Sequence, residues 1–291
     1  MRVVGRRSPV IGALICSLVH SLGLIAAVFV ATGAAALDGA TYPDLQGQWS
    51  RLRATGWDPD KPWGRRQQPP LTAEYQAIFE ANLAEQAAGA PGDSPSWYCL
   101  PYGMPQMMMA YDPMEFVVTP TTTYVLTSHN NDAHRRIFTD GRNWPQTVEP
   151  TFKGYSIGKW IDEDGDGRYD VLEVETRHLK GPRTYDASGI PFHRDDQAVI
   201  KERIAIDKTD RNLLRDEITV IDHALTRPWT VTRTYRRSPD PQPEWNEEAC
   251  AEGNEHVRIG NAAYFLSADG RLMPVKKGQP PPDLKYFKMD R

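Results

Sequence analysis

In the stretch Ala198-Val199-Ile200-Lys201-Glu202-Arg203-Ile204-Ala205-Ile206-Asp207, the even-numbered positions are apolar except for one glutamate, and the odd-numbered positions carry most of the charge. Successive side chains of a β-strand point to opposite faces, so this alternation predicts a strand with one buried face. Glu202 shares that face with Ile200 and Ile204. A carboxylate is costly to bury without a partner, which makes Glu202 a candidate functional residue.

Similar segments follow one another from Met114 onward, with turn signals and no helical pattern between them. The absence of intervening helices disfavours βαβ units and favours an antiparallel meander. Together with an opening strand at Leu45–Trp49, the meander predicts a mainly β fold, an antiparallel lipocalin-like barrel of about 8–10 strands around a ligand cavity. The predicted strands are 115–118, 123–128, 135–139, 154–161, 169–177, 198–207, 213–222 and 229–237.

Three regions are predicted along the chain: a signal peptide over 1–36, an arm over 37–113, and the barrel over 114–291 with the arm packed on it. The arm contains one helical pattern, in which Thr72 can cap a helix over 73–88. Four side chains would form the apolar face of that helix: Tyr75, Ile78, Phe79 and Leu83. The methionines that follow are predicted to fill the core: Met104, Met107, Met108 and Met109.

An acidic loop lies between two of the predicted strands, over Asp162–Glu173. Its carboxylates occupy the ligand positions of an EF-hand calcium loop, with Gly167 at the position of the sharp turn. The flanking segments are typical of strands, so the loop would be a hairpin tip that binds a structural Ca²⁺. A merely acidic turn is the alternative. The predicted ligands are Asp162, Asp164, Asp166, the carbonyl of Arg168, Asp170 and Glu173.

The first 36 residues have the layout of an export signal. Arg2, Arg6 and Arg7 precede an apolar run over Val10–Ala31, which ends near the small residues Ala34-Ala35-Ala36. This layout predicts cleavage and a periplasmic or secreted product, although the run is long enough to serve as a retained anchor instead.

Two cysteines, Cys99 and Cys250, remain after the predicted cleavage. An even number of cysteines in an exported chain predicts a disulfide, with two buried thiols as the alternative. Closing such a long loop would stabilise the fold by up to ~4–5 kcal/mol in the chain-entropy model. The formal net charge of −4 and the lack of a basic cluster argue against nucleic-acid binding.

The segment Gly47-x-Trp49 resembles the G-x-W opening of lipocalin-like proteins, in which the tryptophan plugs the closed end of the barrel. Two further segments are similar to a widespread family of exported, mostly uncharacterised bacterial proteins with a lipocalin-like (calycin-type) barrel. These are Arg135-Arg136-Ile137-Phe138-Thr139-Asp140-Gly141-Arg142 and Gly154-Tyr155-Ser156-Ile157-Gly158-Lys159-Trp160. The resemblance implies the barrel and the export, and it supplies no reaction.

Candidate chemical groups follow from strand alternation. Arg233 and Tyr235 share the inward face of strand 229–237, so a buried Glu202–Arg233 pair is expected, as a site or as a purely structural contact. Strand ends meet at a barrel mouth, where the nearby histidines are candidate general acids and bases. His134 lies at one such end, and the other three are His129, His193 and His223. The arginine cluster that begins at Arg135 can bind an anionic group, or pair across its turn.

These groups favour an exported, cofactor-independent enzyme. It would act as a lyase, isomerase or hydratase on a small apolar or aromatic molecule, with Glu202, His129, His193 and His223 as catalytic residues. Arg233, Arg135 and Tyr235 would bind the substrate. The alternative is a lipocalin-like binding protein without chemistry. Nucleophile-elbow, dinucleotide and P-loop motifs are absent from the sequence.

Overall fold

Nine strands close into a barrel in chain order. A computed structural model describes residues 41–53, 56–109, 111–130, 133–250, 255–260 and 262–283, and the predicted signal peptide lies outside these residues. The barrel strands are β1 (Gln48–Arg51), β2 (Met114–Val118), β3 (Thr122–Thr127), β4 (Ala133–Phe138), β5 (Tyr155–Ile161), β6 (Val171–Arg177), β7 (Val199–Ile206), β8 (Leu213–Ile221) and β9 (Trp229–Arg237). The predicted β-barrel fold is therefore confirmed.

One neighbouring pair of barrel strands, β4 and β5, is parallel, and the other pairs are antiparallel. A closed ring of nine strands requires such an exception, because strand direction cannot alternate around an odd number. Residues 139–154 return the chain to the end of the barrel where β4 began. The β4–β5 pairing is also short, with Ile137 opposite Ser156 and Phe138 opposite Ile157.

Side chains from the strands fill the lumen. The largest fully buried ones include Trp49, Ile137, Leu172 and Tyr235 together with two arginines, Arg135 and Arg233. The lumen therefore combines an apolar core with a small group of charged residues.

The predicted tryptophan plug occupies one end of the barrel. Trp49 is 0 % exposed, and its indole N–H donates to the carbonyl of Leu45 at 3.0 Å. The guanidinium of Arg237 covers the ring at 4.6 Å from its centroid. We call this end of the barrel, which holds Trp49, the plugged end. The acidic loop joins β5 to β6 at the same end.

The arm covers the opposite end, which we call the covered end. It contains one α-helix, α1 (Ala73–Ala87), and short 3-10 helices at Gly64–Gln67, Pro95–Tyr98 and Gln106–Met109. Thr72 caps α1 as predicted, since its hydroxyl accepts from the N–H of Tyr75 at 3.5 Å. The methionines of the arm are buried as expected: Met104, Met107, Met108 and Met109.

Three of the four predicted apolar residues of α1 face the rest of the molecule, since Tyr75 and Phe79 are 4 % and 0 % exposed and Leu83 packs against the core, but the prediction for Ile78 is wrong. Ile78 is 41 % exposed, whereas Asn82 is 2 % exposed and faces the rest of the molecule. The side chain of Asn82 donates to the carbonyl of Ser188 at 2.7 Å and accepts from the N–H of Asp93 at 2.5 Å. Gly189 permits this approach, because its φ is +81° and an added Cβ would lie 1.8 Å from the Asn82 amide nitrogen. The polar contacts of Asn82 therefore add to the burial of Tyr75 and Phe79 in orienting α1.

A disulfide joins Cys99 in the arm to Cys250, which follows the barrel. Beyond it, three strands that the sequence analysis did not predict form a separate sheet: β10 (His256–Ile259), β11 (Ala262–Leu266) and β12 (Leu272–Pro274). Among the helices of the described residues, none combines the length and the apolar character that a membrane span requires.

We expect Asn82→Ala to lower the free energy of unfolding by about 1–3 kcal/mol, because the Ser188 carbonyl and the Asp93 N–H would lose their buried partner. Ile78→Ala, on the exposed side of the same helix, is the matched control and should cost less. Urea unfolding of both variants measures the difference. An equal or larger loss in Ile78→Ala would mean that the exposed isoleucine contributes as much as the buried asparagine, and it would contradict the role assigned to Asn82.

Candidate functional site

The predicted inward-facing carboxylate, Glu202 on β7, is 2 % exposed and lies in the lumen. Its partner is Arg135 on β4, whose two terminal nitrogens both contact the carboxylate, one of them at 2.8 Å. The expected partner was Arg233, and that prediction is wrong. Both arginines face inward, so strand alternation alone does not distinguish them.

Hydroxyl groups of the neighbouring strands complete the surroundings of the Arg135 guanidinium. Its Nη2 donates to Thr176 on β6 at 2.8 Å and its Nε donates to Ser156 on β5 at 3.2 Å. A buried ion pair is stable only when its remaining donors and acceptors are also satisfied. With bidentate contact to Glu202 and two hydroxyl acceptors, Arg135 meets that condition and has the environment of a structural residue.

Arg233 and Tyr235 on β9 connect the barrel to the arm. Arg233 donates to the carbonyls of Gly56 at 2.7 Å and Trp57 at 3.2 Å. The hydroxyl of Tyr235 donates to the carbonyl of Met108 at 2.6 Å. These two side chains, predicted to bind substrate, thus hold backbone segments that cover the barrel.

A second buried carboxyl group, Asp216 on β8, was missed by the sequence analysis. It is 0 % exposed, and neither of its oxygens has a hydrogen-bond partner among the described residues. Burial, and then the negative charge of Glu202, raises the pKa of Asp216 well above its ordinary value, although Arg135 and Arg233 act in the opposite direction. The alternation of Leu214, Asp216 and Ile218 carries the same signal that identified Glu202.

The predicted residue His129 lies at the covered end in a group with two partners from the arm. Its Nδ1 is 2.7 Å from a carboxylate oxygen of Asp112, and its Nε2 is 3.0 Å from the hydroxyl of Tyr102. Glu248 lies on the same side, 3.5 Å from Nδ1. The rings of Tyr102 and His129 are stacked, with their centroids 4.9 Å apart. We call Asp112, His129 and Tyr102 the relay.

An aromatic groove begins beside the relay. Tyr102 and His129 line a small cavity of about 20 Å³, which shares Trp63, Tyr111 and Ala187 with a larger groove of about 410 Å³. Trp63 and Tyr111 are 44 % and 62 % exposed, and Trp97, also in the groove, is 46 % exposed. Large aromatic side chains that remain accessible around a concave surface are typical of a small-molecule site.

The relay has the connectivity of an acid–base pair with an orienting carboxylate. Asp112 holds one nitrogen of the imidazole, and the other nitrogen faces a hydroxyl group. Burial raises the pKa of the Tyr102 phenol, so the hydroxyl keeps its proton at neutral pH. Tyr102 and Asp112 were missed because they lie in a proline-rich segment without any periodic pattern.

His193 and His223 meet in a separate group around Asp195. The Nδ1 atoms of the two imidazoles lie 2.9 and 2.5 Å from the two oxygens of that carboxylate. His193 precedes β7 and His223 follows β8, and these strand ends are neighbours in the antiparallel pair. The three predicted histidines therefore lie at the covered end, but His129 belongs to one group and His193 and His223 to another.

The acidic loop at the plugged end brings together oxygen atoms of Asp162, Asp164 and Asp166, all within 4.8 Å of one another. The carboxylate of Asp162 also accepts from the N–H groups of Gly165 and Gly167, at 2.7 and 2.9 Å. Both glycines have positive φ, which allows the chain to wrap around the carboxylates. This set of hard oxygen donors fits Ca²⁺.

The last predicted ligands of the loop have other contacts. Glu173 lies on the outer face of β6 and pairs with Arg203. One oxygen of Asp170 accepts from the N–H of Glu163 at 2.8 Å. Asp162, Asp164 and Asp166 are the ligands whose oxygens already converge, and the roles of the Arg168 carbonyl, Asp170 and Glu173 stay predictions.

Arg142, another arginine of the predicted anion-binding cluster, forms an ion pair within its own turn. Arg142 donates to Asp140 across the turn after β4, and this hydrogen bond lowers the pKa of the Asp140 carboxyl to about 2. The pairing alternative of the sequence analysis thus accounts for these two residues.

Comparison of the chain with protein-family models, with curated proteins and with solved structures found no match.

Asp216→Asn should raise stability at mildly alkaline pH. The raised pKa means that the folded state holds the Asp216 proton more tightly than the unfolded chain does. Wild-type stability from this group is therefore greatest below the unfolded pKa and is lost as pH rises toward the folded pKa. The neutral amide does not titrate, so its advantage over wild type grows as pH rises above the unfolded pKa, to on the order of 1–3 kcal/mol. Chemical unfolding at mildly acidic and mildly alkaline pH measures the effect.

Glu217→Gln, the adjacent substitution on the exposed outer face, is the control and should show no such pH-dependent gain. A loss of stability in Asp216→Asn at alkaline pH would mean that the ionised carboxylate is favourable inside the barrel.

Proposed function

We propose that this chain is an exported enzyme that transfers protons on a small apolar or aromatic molecule, as a cofactor-independent lyase, isomerase or hydratase does. The observation that carries the proposal is the relay Asp112–His129–Tyr102 beside an aromatic groove. General acid–base catalysis needs a donor and an acceptor within hydrogen-bond reach of each other and of the substrate. The relay supplies the pair, and the groove supplies a place for the substrate.

The proposed chemistry begins with Asp112 accepting the Nδ1–H of His129, which turns the Nε2 lone pair toward the Tyr102 hydroxyl. The Tyr102 oxygen removes a proton from the substrate while its own proton passes to His129. Asp112 stabilises the resulting imidazolium. In the second half, His129 returns its proton to Tyr102, and Tyr102 delivers one to another substrate atom or to a leaving group. Tyr102 and His129 are then back in their starting protonation states.

The covered end is favoured over the barrel interior as the place of this chemistry. Inside the lumen, Glu202 is engaged by Arg135, and both side chains are almost completely buried. The groove, by contrast, leaves Trp63 and Trp97 accessible to solvent. A flat, weakly polar substrate would stack on these rings. His129 keeps its proposed catalytic role, and Glu202 is assigned a structural one.

A binding protein without chemistry is the second candidate. The exposed aromatic rings of the groove favour it, because they would hold a flat ligand whether or not the relay acts on it. The two candidates differ in one respect: only the enzyme moves protons between the ligand and water.

Export and a structural Ca²⁺ belong to the same proposal. The basic and apolar segments of residues 1–36 support export, as does the pairing of Cys99 with Cys250. The resemblance to exported bacterial proteins with lipocalin-like barrels points the same way. Calcium would neutralise the three converging carboxylates of Asp162, Asp164 and Asp166, at the end of the barrel opposite the relay.

We expect Tyr102→Phe and His129→Gln to abolish proton transfer while the fold is kept. A metabolite extract incubated with the protein in D₂O would show a compound that gains deuterium or changes mass with wild type. The rate of this deuterium gain or mass change should fall by about 10²-fold or more in either variant. Mass spectrometry detects the label whatever the identity of the substrate. His134→Gln, at an exposed position on β4, is the matched control and should retain the wild-type rate.

A ligand that is bound but never labelled, in wild type as in the variants, would support the binding protein instead. Labelling that survives both Tyr102→Phe and His129→Gln would remove the relay from the mechanism.

Ca²⁺ should raise the melting temperature of the wild type, and a chelator should lower it. A ligand that binds only the folded state at a hundredfold excess over its Kd adds about 2.7 kcal/mol of stability. Asp162→Asn should remove this response, whereas Asp269→Asn, an exposed aspartate in the β11–β12 turn, should leave it unchanged. A melting temperature that is insensitive to chelation in wild type would count against calcium.

A further inference from the structure

The group around Asp195 is distinct from the relay and from the acidic loop. One nitrogen of His193, one nitrogen of His223 and one oxygen of Asp195 lie within 4.8 Å of one another. The three side chains come from two chain segments that the β7–β8 pairing holds side by side. Two imidazoles and a carboxylate thus converge on a volume that one ion can occupy.

The donor types select the class of ion. Ca²⁺ and Mg²⁺ take oxygen ligands, whereas imidazole nitrogen is a preferred ligand of Zn²⁺ and other divalent first-row metals. Two histidines and one carboxylate form a three-ligand set that leaves positions open for water. His193 and Asp195 are separated by one residue, so two of the ligands come from one short turn.

An adjacent buried carboxylate independently points to a cation. Asp222 is 7 % exposed, and its Oδ1 accepts from the N–H groups of His193 and Ala224, both at 2.9 Å. Its Oδ2 is buried and has no hydrogen-bond partner among the described residues. The negative charge of Asp222 interacts electrostatically with the imidazoles of both His193 and His223. The nearby cation Arg183 also acts on Asp222, but its ion pair is with Asp196 at 2.7 Å. An ion among the imidazoles would offset this buried negative charge.

The group is open to solvent on one side. The side chain of His223 is 70 % exposed, and those of His193 and Asp195 are 25 % and 29 % exposed. An ion can therefore enter without a change of fold, and His223 can be substituted at little cost to stability.

We propose that His193, Asp195 and His223 bind one divalent transition-metal ion, with Zn²⁺ as the best match to the ligand set. The site lies next to the buried carboxylate of Asp222 and is separate from the proposed calcium loop. It does not depend on whether the relay is catalytic.

Equilibrium dialysis against ZnCl₂ tests the proposal, with the full protein stripped by a chelator and then kept in excess CaCl₂ so that oxygen sites are filled. Metal analysis should find one zinc per chain at micromolar free ZnCl₂. His223→Ala and Asp195→Asn should each weaken zinc binding by roughly tenfold or more. Their thermal unfolding without zinc should remain close to that of wild type, which separates lost binding from lost fold. His134→Ala should bind as wild type does.

Three results would overturn the site. The first is wild-type protein that takes up no zinc under these conditions. The second is zinc binding in His223→Ala and Asp195→Asn that equals that of wild type. The third is zinc binding that is lost in His129→Gln instead, which would place the ion among Asp112, His129 and Glu248.

Discussion

A single guanidinium, buried inside a closed barrel, constrains the rest of this structure. Arg135 is 1 % exposed, so its charge and its donors must be satisfied by protein groups alone. Glu202 supplies the opposite charge, and Ser156 and Thr176 supply hydroxyl acceptors. These partners place β5, β6 and β7 around one side chain of β4. The hydrogen bond from Arg135 to Ser156 thus joins β4 to β5, the parallel pair in which backbone pairing covers only two positions on each strand.

Among the described residues, large side chains fill the lumen, and the ion pair of Arg135 and Glu202 lies among them. Arg135 and Glu202 pair with each other there, Arg233 and Tyr235 bind the covering arm, and Asp216 is buried without a hydrogen-bond partner among the described residues. Groups with accessible polar atoms lie instead where strands end. The covered end carries the relay and the imidazole pair, and the plugged end carries the acidic loop. The two ends of the barrel therefore carry chemically different groups.

The sequence predicts those parts of the structure that depend on a local period. The eight later barrel strands agree with their predicted bounds within two residues, because each buries every second side chain. Glu202 was correctly placed inward for the same reason. Its partner was not, since Arg135 and Arg233 both face inward and only the distance across the lumen decides between them. Asp216 carried the same periodic signal and was available to the same reasoning.

The candidate functional groups at the covered end were harder to predict. Tyr102 and Asp112 lie in segments without periodicity, and they meet His129 only because the arm folds back over the barrel. Tyr75 and Phe79 were correctly placed on the buried face of α1, but the burial of Asn82 depends on its contacts with Ser188 and Asp93, which no helical pattern encodes. The residues of the relay are far apart in sequence and come from loops, which lack the local periodicity that predicts strands and helices.

The cystine that links Cys99 to Cys250 has a consequence for where this protein can mature. Cys250 also donates its backbone N–H to the carbonyl of Asn130 at 3.0 Å, and Glu248 accepts from the N–H of Asn130 at 2.8 Å, directly beside His129. The bond therefore fastens the segment after the barrel against one wall of the relay. Chain that has folded but has not yet been oxidised would possess the barrel without this fastening. Oxidative maturation would then be the step that completes the site, and it would separate the time of folding from the time of activity.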